Sequence, residues 1–461
     1  MRRELAQWQA DLAAAKVGRK TVSIARDSDD LTRVGPGTVM GDFMRQYWIP
    51  AAISSELKTD GDPMRLMLLG EKLIAFRDSS GRVGVMDHRC PHRCASLFLG
   101  RNEENGIRCV YHGWKFDAEG NCVDMPSVPP HQDFKGKVKA KAYKTAERNG
   151  LIWVYMGNRQ AAPPLPMIEP SLLPAHDMTV SFVQRSCNWM QAMEGDIDTA
   201  HFGFLHVGEK KIEDFDPDDM LRYTVLNRAP EYHVADAPWG TTYAAYRPAE
   251  EGGTYWRFAN YMFPFWTQTP QGEFATHVGA RAWVPMDDNT TMHVHLHWAS
   301  AKPSVRTVKK DGTLLLHVNR VHQYQPNTTD WHGRWRLANN EANDWGIDRN
   351  AQRDGRLYTG ISNIHLQDQA VTESMGPITD HAFEHLGPSD RMIARTRRRA
   401  LLAARAFRDT GTPPPGVDDP AVFMRSRSGY FILKEGADWR DAYAQQVDAA
   451  ERPVPMPQAA E

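Results

Sequence analysis

Cysteine is scarce. Five in 461 residues are too few for a disulfide framework, and four of them, Cys90, Cys94, Cys109 and Cys122, crowd into one segment while Cys187 stands apart. Long apolar runs are missing too. None approaches the roughly 18 residues of a membrane-spanning helix. The opening Met1, Arg2, Arg3 and Glu4 lead into no continuous apolar stretch of the kind a secretory leader needs, so a soluble, cytoplasmic protein is expected. Neither sign of charge is in excess. Lys and Arg number 55 against 57 Asp and Glu, a net charge of −2, and such a balance offers no field to hold nucleic acid or an anionic membrane. No Gly-x-Gly-x-x-Gly string is present either, so the chain carries no dinucleotide fingerprint of its own.

What is present is the balance of a globular protein: 41% hydrophobic, 24% charged and 10% aromatic residues. The length suits two or three units. Residues 1–30 read as an amphipathic helical arm, with Leu5, Trp8 and Leu12 near helical spacing. Residues 31–160 hold short β-like runs such as Arg65–Leu69, Leu73–Phe76 and Leu151–Tyr155, cut by Gly and Asp, and read as a small all-β domain. Five prolines between Gln160 and Pro174 mark a linker. Residues 161–450 are mixed. They suggest a helix within 180–210, longer strands at Tyr255–Trp266, His277–Val284 and Met292–Trp298, and a basic helix over 388–408. Residues 451–461 read as a disordered tail. The predicted class is α+β, an N-terminal all-β domain followed by a larger α+β domain.

Within the β domain, Cys90-Pro91-His92 and Cys109-Val110-Tyr111-His112 each supply one thiolate and one imidazole. A Rieske [2Fe-2S] cluster uses such a set asymmetrically, two cysteines on one iron and two histidines on the other. A structural zinc site also takes two Cys and two His, but zinc sites commonly pair like with like, whereas each box here mixes them. With Gly113-Trp114-Lys115-Phe116 and Met125-Pro126 following, the segment resembles the Rieske domain of the Rieske non-heme iron oxygenases. Cys94 and Cys122 fall outside the ligand spacing and read as ordinary buried thiols.

The second constellation is Asn188-Trp189-Met190-Gln191-Ala192, then Asp198, His201 and His206. In a regular helix His201 and His206, at i and i+5, lie about 140° apart. One metal can take both only if the helix ends or bulges near Gly203. The Asp-x-x-His-x-x-x-x-His string resembles the iron-binding segment of the phthalate dioxygenase branch of that family. The resemblance implies His201 and His206 as ligands of a mononuclear Fe(II), and Asp198 as the aspartate that links a ligand histidine to a Rieske histidine of the next subunit. Spacing does not select a third ligand from Asp354, Asp368, Asp380 and Asp390; the likeness of Gln367-Asp368-Gln369-Ala370-Val371-Thr372-Glu373 to the family's carboxylate segment implies Asp368. Glu194 and Asp196 read as exposed helix charges.

The resemblance further implies a helix-grip catalytic domain around an antiparallel sheet, assembly as a homotrimer or stacked trimers, and electrons from a separate NAD(P)H-dependent reductase. The expected reaction uses O2 to dihydroxylate an aromatic carboxylate; the alternative is O-demethylation of a methoxylated aromatic acid. A non-catalytic Rieske electron carrier and a zinc-stabilised module are the rivals from other classes. Arg228, Arg247 and Arg257 are candidates to bind the substrate carboxylate, since guanidinium takes carboxylate in a bidentate fork. The aromatic run Tyr255–Trp266 suits either the wall of an apolar cavity or a plain sheet core. The arginines from Arg391 to Arg399 suit either a solvated helix face or a reductase contact.

Overall fold

The computed structural model describes residues 25–274, 277–299, 305–434 and 436–450. The expected arm and tail therefore lie outside the described residues, except that 25–32 form a helix. Among the described residues no helix is long and apolar enough to cross a membrane.

The first unit holds two antiparallel sheets. The larger is built from β1 (Trp48–Ile53), β2 (Met64–Leu68), β3 (Glu71–Arg77) and β4 (Val83–Asp87) with the later β9 (Ala142–Arg148) and β10 (Leu151–Tyr155), in the order β1-β10-β9-β4-β3-β2. β10 is buried along its whole length, as a continuous run of Leu, Ile, Trp, Val and Tyr requires. Asn149 and Gly150, both at positive φ, form the two-residue turn that joins β9 to β10, a geometry that suits Asn-Gly because its twist matches the strands. The smaller sheet is β5 (Arg101–Glu103), β6 (Gly106–Arg108), β7 (Lys115–Phe116) and β8 (Cys122–Asp124), in chain order. The first cysteine–histidine box follows β4, and the second joins β6 to β7.

The second unit is built on one antiparallel sheet: β11 (Met178–Arg185), β12 (Glu231–Ala237), β13 (Gly240–Pro248), β14 (Gly253–Met262), β15 (Trp266–Gln268), β16 (Gly279–Pro285), β17 (Thr291–Trp298) and β18 (Gly429–Lys434). Its order is β11-β17-β16-β15-β14-β13-β12, and β18 pairs with residues 253–258 of β14 where β15 leaves that edge free. Short α1 (Trp189–Glu194), α2 (Ile364–Ser374), long α3 (Arg391–Thr410) and α4 (Trp439–Ala449) are its principal helices. α3 ends at Gly411, whose left-handed φ of 69° lets its N–H reach the Phe407 carbonyl at 2.9 Å.

Several expectations need correction. The helix expected over 180–210 starts late: alternating Thr179, Ser181 and Val183 make residues 178–185 a strand, and α1 begins only after Asn188, whose side chain accepts from the Met190 N–H. Glu194 and Asp196 are not exposed charges. Their side chains are 9% and 8% exposed, Glu194 paired with Arg397 and Asp196 with Arg281. Arg397 consequently leaves the solvated face of α3, gripped by Glu194 and Glu384, while Arg395 pairs with Asp236. The proline-rich linker is anchored. Glu169 within it holds Arg427 at 2.7 Å, the two side chains 2% and 1% exposed.

Candidate functional site

Both cysteine–histidine boxes are tight loops closed by the same pair of backbone bonds. Cys90 N–H donates to the Ala95 carbonyl at 2.8 Å and Cys94 N–H to the Cys90 carbonyl at 2.9 Å; Cys109 N–H donates to Trp114 and Gly113 N–H to Cys109, each at 2.9 Å. Gly113 sits at φ +78°, and a Cβ there would lie 2.6 Å from Pro126 Cγ, so the motif needs glycine. These loops bury Cys90 and Cys109 and bring the rings of His92 and His112 to 4.3 Å between centroids. Trp114 stacks on His92 at 4.2 Å. Burial, then the neighbouring Cys109, pushes the Cys90 thiol up to about 12, and the buried Nδ1 of His112 has no hydrogen-bond partner. A buried thiol that resists ionising alone, a second buried cysteine beside it and an orphaned imidazole nitrogen fit a group that takes both sulfurs and both imidazoles. Cys122 is buried as expected, but Cys94 is exposed, at φ +61°.

The helical bulge that the histidine spacing demands is present. Residues Phe202–His206 form a π-helical turn, whose wider pitch carries i and i+5 to one face. His201, His206 and Asp368 offer donor atoms all within 4.8 Å of one another. His206 Nε2 is 3.1 Å and His201 Nε2 3.6 Å from Asp368 Oδ1, close to the roughly 3.0 Å between cis donors each about 2.1 Å from one ion.

The opposite ring nitrogens are held from behind. His201 Nδ1 faces Asp198 Oδ2 at 3.3 Å, and His206 Nδ1 faces Gln367 Oε1 at 2.8 Å. Gln367 Nε2 donates to the Ile361 carbonyl at 2.8 Å, which fixes the amide so that its oxygen points at His206. Nδ1 of His206 therefore carries the proton, and the Nε2 lone pair faces a carboxylate oxygen. That arrangement calls for a cation between them, and two imidazoles with one carboxylate fit ferrous iron. Burial alone would raise Asp368; positive charge on the facing imidazoles, His206 first and then His201, or on a cation between them, holds it well below the usual carboxylate range. Burial opposes the charge on His201 as well, but the Asp198 carboxylate raises it.

The motif residues around the triad are structural bolts. Asn188 caps α1 and donates to the carbonyls of Thr32 and Asp288 at 2.9 and 2.7 Å. Gln191 donates to the carbonyls of Thr372 and Gly376 and accepts from Thr379 N–H. It thereby ties the approach to the histidines to the end of the helix that bears Asp368.

The triad opens onto a cavity of about 370 Å³. Arg257 lines it; Arg228 and Arg247 do not. Arg228 donates instead to the Lys210 carbonyl at 2.8 Å and Arg247 to the Asn227 carbonyl at 2.7 Å. Nor does the aromatic run supply the wall. Apart from Arg257, its side chains from Tyr255 to Trp266 are absent from the lining and are buried in the core. Phe202, Leu221, Val305 and Ile364 give the wall its apolar area, and sequence reasoning missed most of the polar groups set among them: Arg281, Arg320, His277, His295, His297, His322 and His365. Strict alternation of His293, His295 and His297 in β17 was the available signal, since period two puts them on one face. Burial, then Arg281, lowers His277 to about 3, and burial lowers His295 and His365 well below the ordinary imidazole range, so these rings are neutral hydrogen-bonding groups at neutral pH.

The Rieske [2Fe-2S] domain family matches residues 47–142, and the family described as LigXa C-terminal domain like matches residues 154–459. The chain is 51% identical to a 3-chlorobenzoate-3,4-dioxygenase oxygenase subunit of Comamonas testosteroni, over 94% of this chain and 100% of that one. It is 36% identical to a phthalate 4,5-dioxygenase oxygenase subunit of Pseudomonas putida, over 90% of this chain and 94% of the other. Among solved structures, dicamba monooxygenase bound to 3,6-dichlorosalicylic acid shares the fold at a TM-score of 0.53 and 16% identity, over 80% of this chain and 99% of that one.

Proposed function

Because the chain belongs to the Rieske non-heme iron oxygenases, in the phthalate dioxygenase-like branch, and is an oxygenase component that works with a Rieske [2Fe-2S] cluster, a mononuclear iron and a separate reductase, we propose that it dihydroxylates an aromatic carboxylate. In this reading Cys90 and Cys109 hold one cluster iron, His92 and His112 the other, and His201, His206 and Asp368 the mononuclear ion. When bound, the cluster supplies single electrons, and the mononuclear iron supplies open positions for dioxygen beside the substrate.

The chain's own residues do the rest. Gln367 keeps the His206 proton on Nδ1, and Asp198 does the same for His201. Arg257, buried beside Thr199, neutralises the substrate carboxylate, while Phe202, Leu221, Val305 and Ile364 enclose the ring and the polar groups among them orient it. Convergence of two imidazoles and a carboxylate on the wall of a cavity that also holds Arg257 is the observation that carries this reading.

The finer expectations join the proposal. The protein assembles as a homotrimer or stacked trimers, with Asp198 coupling the cluster of one subunit to the iron of the next. Val110 and Tyr111, 57% and 55% exposed beside the half-buried cluster histidines, support such a docking edge. The reductase draws on NAD(P)H, and the protein works in the cytoplasm, where five unpaired cysteines stay reduced. The test is a single turnover of reduced, iron-loaded protein with isotopically labelled dioxygen and a panel of aromatic acids. Two labelled oxygens on the ring are expected. One oxygen with release of formaldehyde would mean O-demethylation, and no product from any acid would overturn the aromatic-acid reading.

A further inference from the structure

His322 lies on the walls of two cavities. On one side it lines the cavity of the triad, and on the other a pocket of about 70 Å³ bounded by Asn319, Val321, Gln323, Ser362 and Asn363 among others. No other described residue lines both. The smaller pocket opens at the surface, since Asn319, Gln323 and Ser362 are exposed and Val321 is 74% exposed. His322 itself is half-buried, and its Nδ1 is buried without a hydrogen-bond partner.

Inward of this ring comes His365. The two ring centroids are 5.2 Å apart, a separation that a hydrogen bond spans directly or through one water. His365 lines the cavity of the triad but not the surface pocket. It stands three residues before Asp368 in α2 and shares that residue's helix face, at a rise of about 4.5 Å. One buried amide fastens the pair. Asn363 caps α2 by accepting from the N–H groups of His365 and Leu366, each at 3.0 Å. Its Nδ2 donates at 2.9 Å to the carbonyl of Val321, next to His322, and at 2.9 Å to Asn319 Oδ1. Backbone bonds from Asn319 to the Ser362 carbonyl at 2.7 Å and from Ile364 to the Asn319 carbonyl at 3.1 Å close the same junction.

Oxygenation has a proton balance as well as an electron balance. In dihydroxylation the O–O bond breaks, two C–O bonds form on the ring, and two electrons arriving through the cluster are matched by two protons, one on each new hydroxyl. O-demethylation also takes up two protons, one of them into water. A bound aromatic acid displaces water from the cavity, so those protons need a path through the protein. His201, His206 and Asp368 face the ion, and Asp198 faces His201. His277, His295 and His297 line the cavity without reaching the surface pocket. An imidazole accepts a proton at one nitrogen and releases one from the other, and burial, then Arg185, keeps His322 neutral between transfers.

We propose that His322 is the entry point of a proton relay, through which solvent protons pass from the surface pocket by way of His365 into the cavity during turnover. This rests on the reading of the triad as the place where dioxygen is reduced, and it holds for either outcome on the substrate.

Two experiments on the full-length protein, loaded with cluster and iron, test the proposal. Diethylpyrocarbonate followed by peptide mass mapping reads access to the relay. His322 should be modified along with the exposed control His176, and His322 left intact while His176 reacts overturns the entry point. Single turnover of the chemically reduced protein with benzoate, 3-chlorobenzoate and phthalate reads proton delivery. His322→Ala should form product about 100-fold more slowly than wild type, the lower range for a positioned proton-transfer group, while the anaerobic affinity for the acid stays within about twofold of wild type. Added imidazole should restore the rate, and pyrrole, of the same size but without a basic nitrogen, should not. An unchanged rate in the folded variant overturns the relay, and so does a loss that imidazole fails to restore or that pyrrole restores equally. If His322→Ala fails to fold, His322→Gln must show the same loss with unchanged acid binding. A wild type that oxygenates none of the three acids overturns the aromatic-acid reading instead, and the relay then stands or falls on the modification of His322.

Discussion

Replacing Gln367 by leucine removes one side chain that touches neither substrate nor metal and asks whether it sets the metal site. Gln367 is 2% exposed and makes two bonds of 2.8 Å, from its Nε2 to the Ile361 carbonyl and from its Oε1 to His206 Nδ1. Because a carbonyl only accepts, the first bond dictates the direction of the second, and the second places the imidazole proton. Leucine keeps the volume and loses both. His206 is then free to carry its proton on Nε2, the atom 3.1 Å from Asp368, where it competes with a metal ion. Losing such a supporting bond costs about 10- to 100-fold in metal affinity, or roughly 1.4 to 2.7 kcal/mol. The Ile361 carbonyl, left without its partner, costs roughly a further 1–3 kcal/mol of stability. Titration of the metal-depleted protein with Fe(II), read by a metal-competing chromophore, measures the first effect, and urea unfolding measures the second. The Rieske absorption should be unchanged, since Gln367 lies in the other domain. An iron affinity equal to wild type in a folded Gln367→Leu protein would refute the tautomer argument.

Three other outcomes are expected. Glu169→Ala leaves Arg427 as a buried charge without its carboxylate and should cost about 3–5 kcal/mol in urea unfolding; a loss under 1 kcal/mol would mean that the linker is not held by this pair. His277 is neutral in the folded protein down to about pH 3 but titrates near 6.5 when unfolded. Across that window the unfolded chain binds the extra proton, so stability falls as pH falls, by up to about 1.4 kcal/mol per pH unit for this group. His277→Gln should flatten the acid limb of the stability profile, and an unaltered limb would show that the ring is protonated in the native state. Finally, Cys94 is the exposed cysteine while the other four are buried. Maleimide should label the cluster-loaded protein at one site, Cys94→Ser should abolish that label without altering the cluster spectrum, and labelling that persists in the variant would contradict the exposure.

Local spacing carried far in this chain, because the chemistry it encodes is local. Two cysteine–histidine boxes in short loops read directly as a ligand set, and the five-residue interval between His201 and His206 required a break in helical geometry that the π-turn supplies. The strands β14, β16 and β17 and the basic helix α3 lay within a few residues of where periodicity put them. Other features were mistaken for a physical reason. Glu194, Asp196 and Arg397 look like surface charges until their partners, from segments 85 to 203 residues away, are folded against them. The aromatic run of β14 serves the core because the sheet presents Arg257, and not its rings, to the cavity.

The sequence by itself determined the donor types of both metal centres, the order of the two units and the need for an irregular helix at Gly203, since each depends on residues close together in the chain. Only the tertiary structure decided which carboxylate completes the triad in space, that Gln367 orients His206, that Arg257 reaches the cavity while Arg228 and Arg247 do not, and that histidines and Arg320 line its walls. Those contacts join residues of β11, β14, β16, β17, α2 and the 305–322 segment, and no spacing along the chain records which of them will meet.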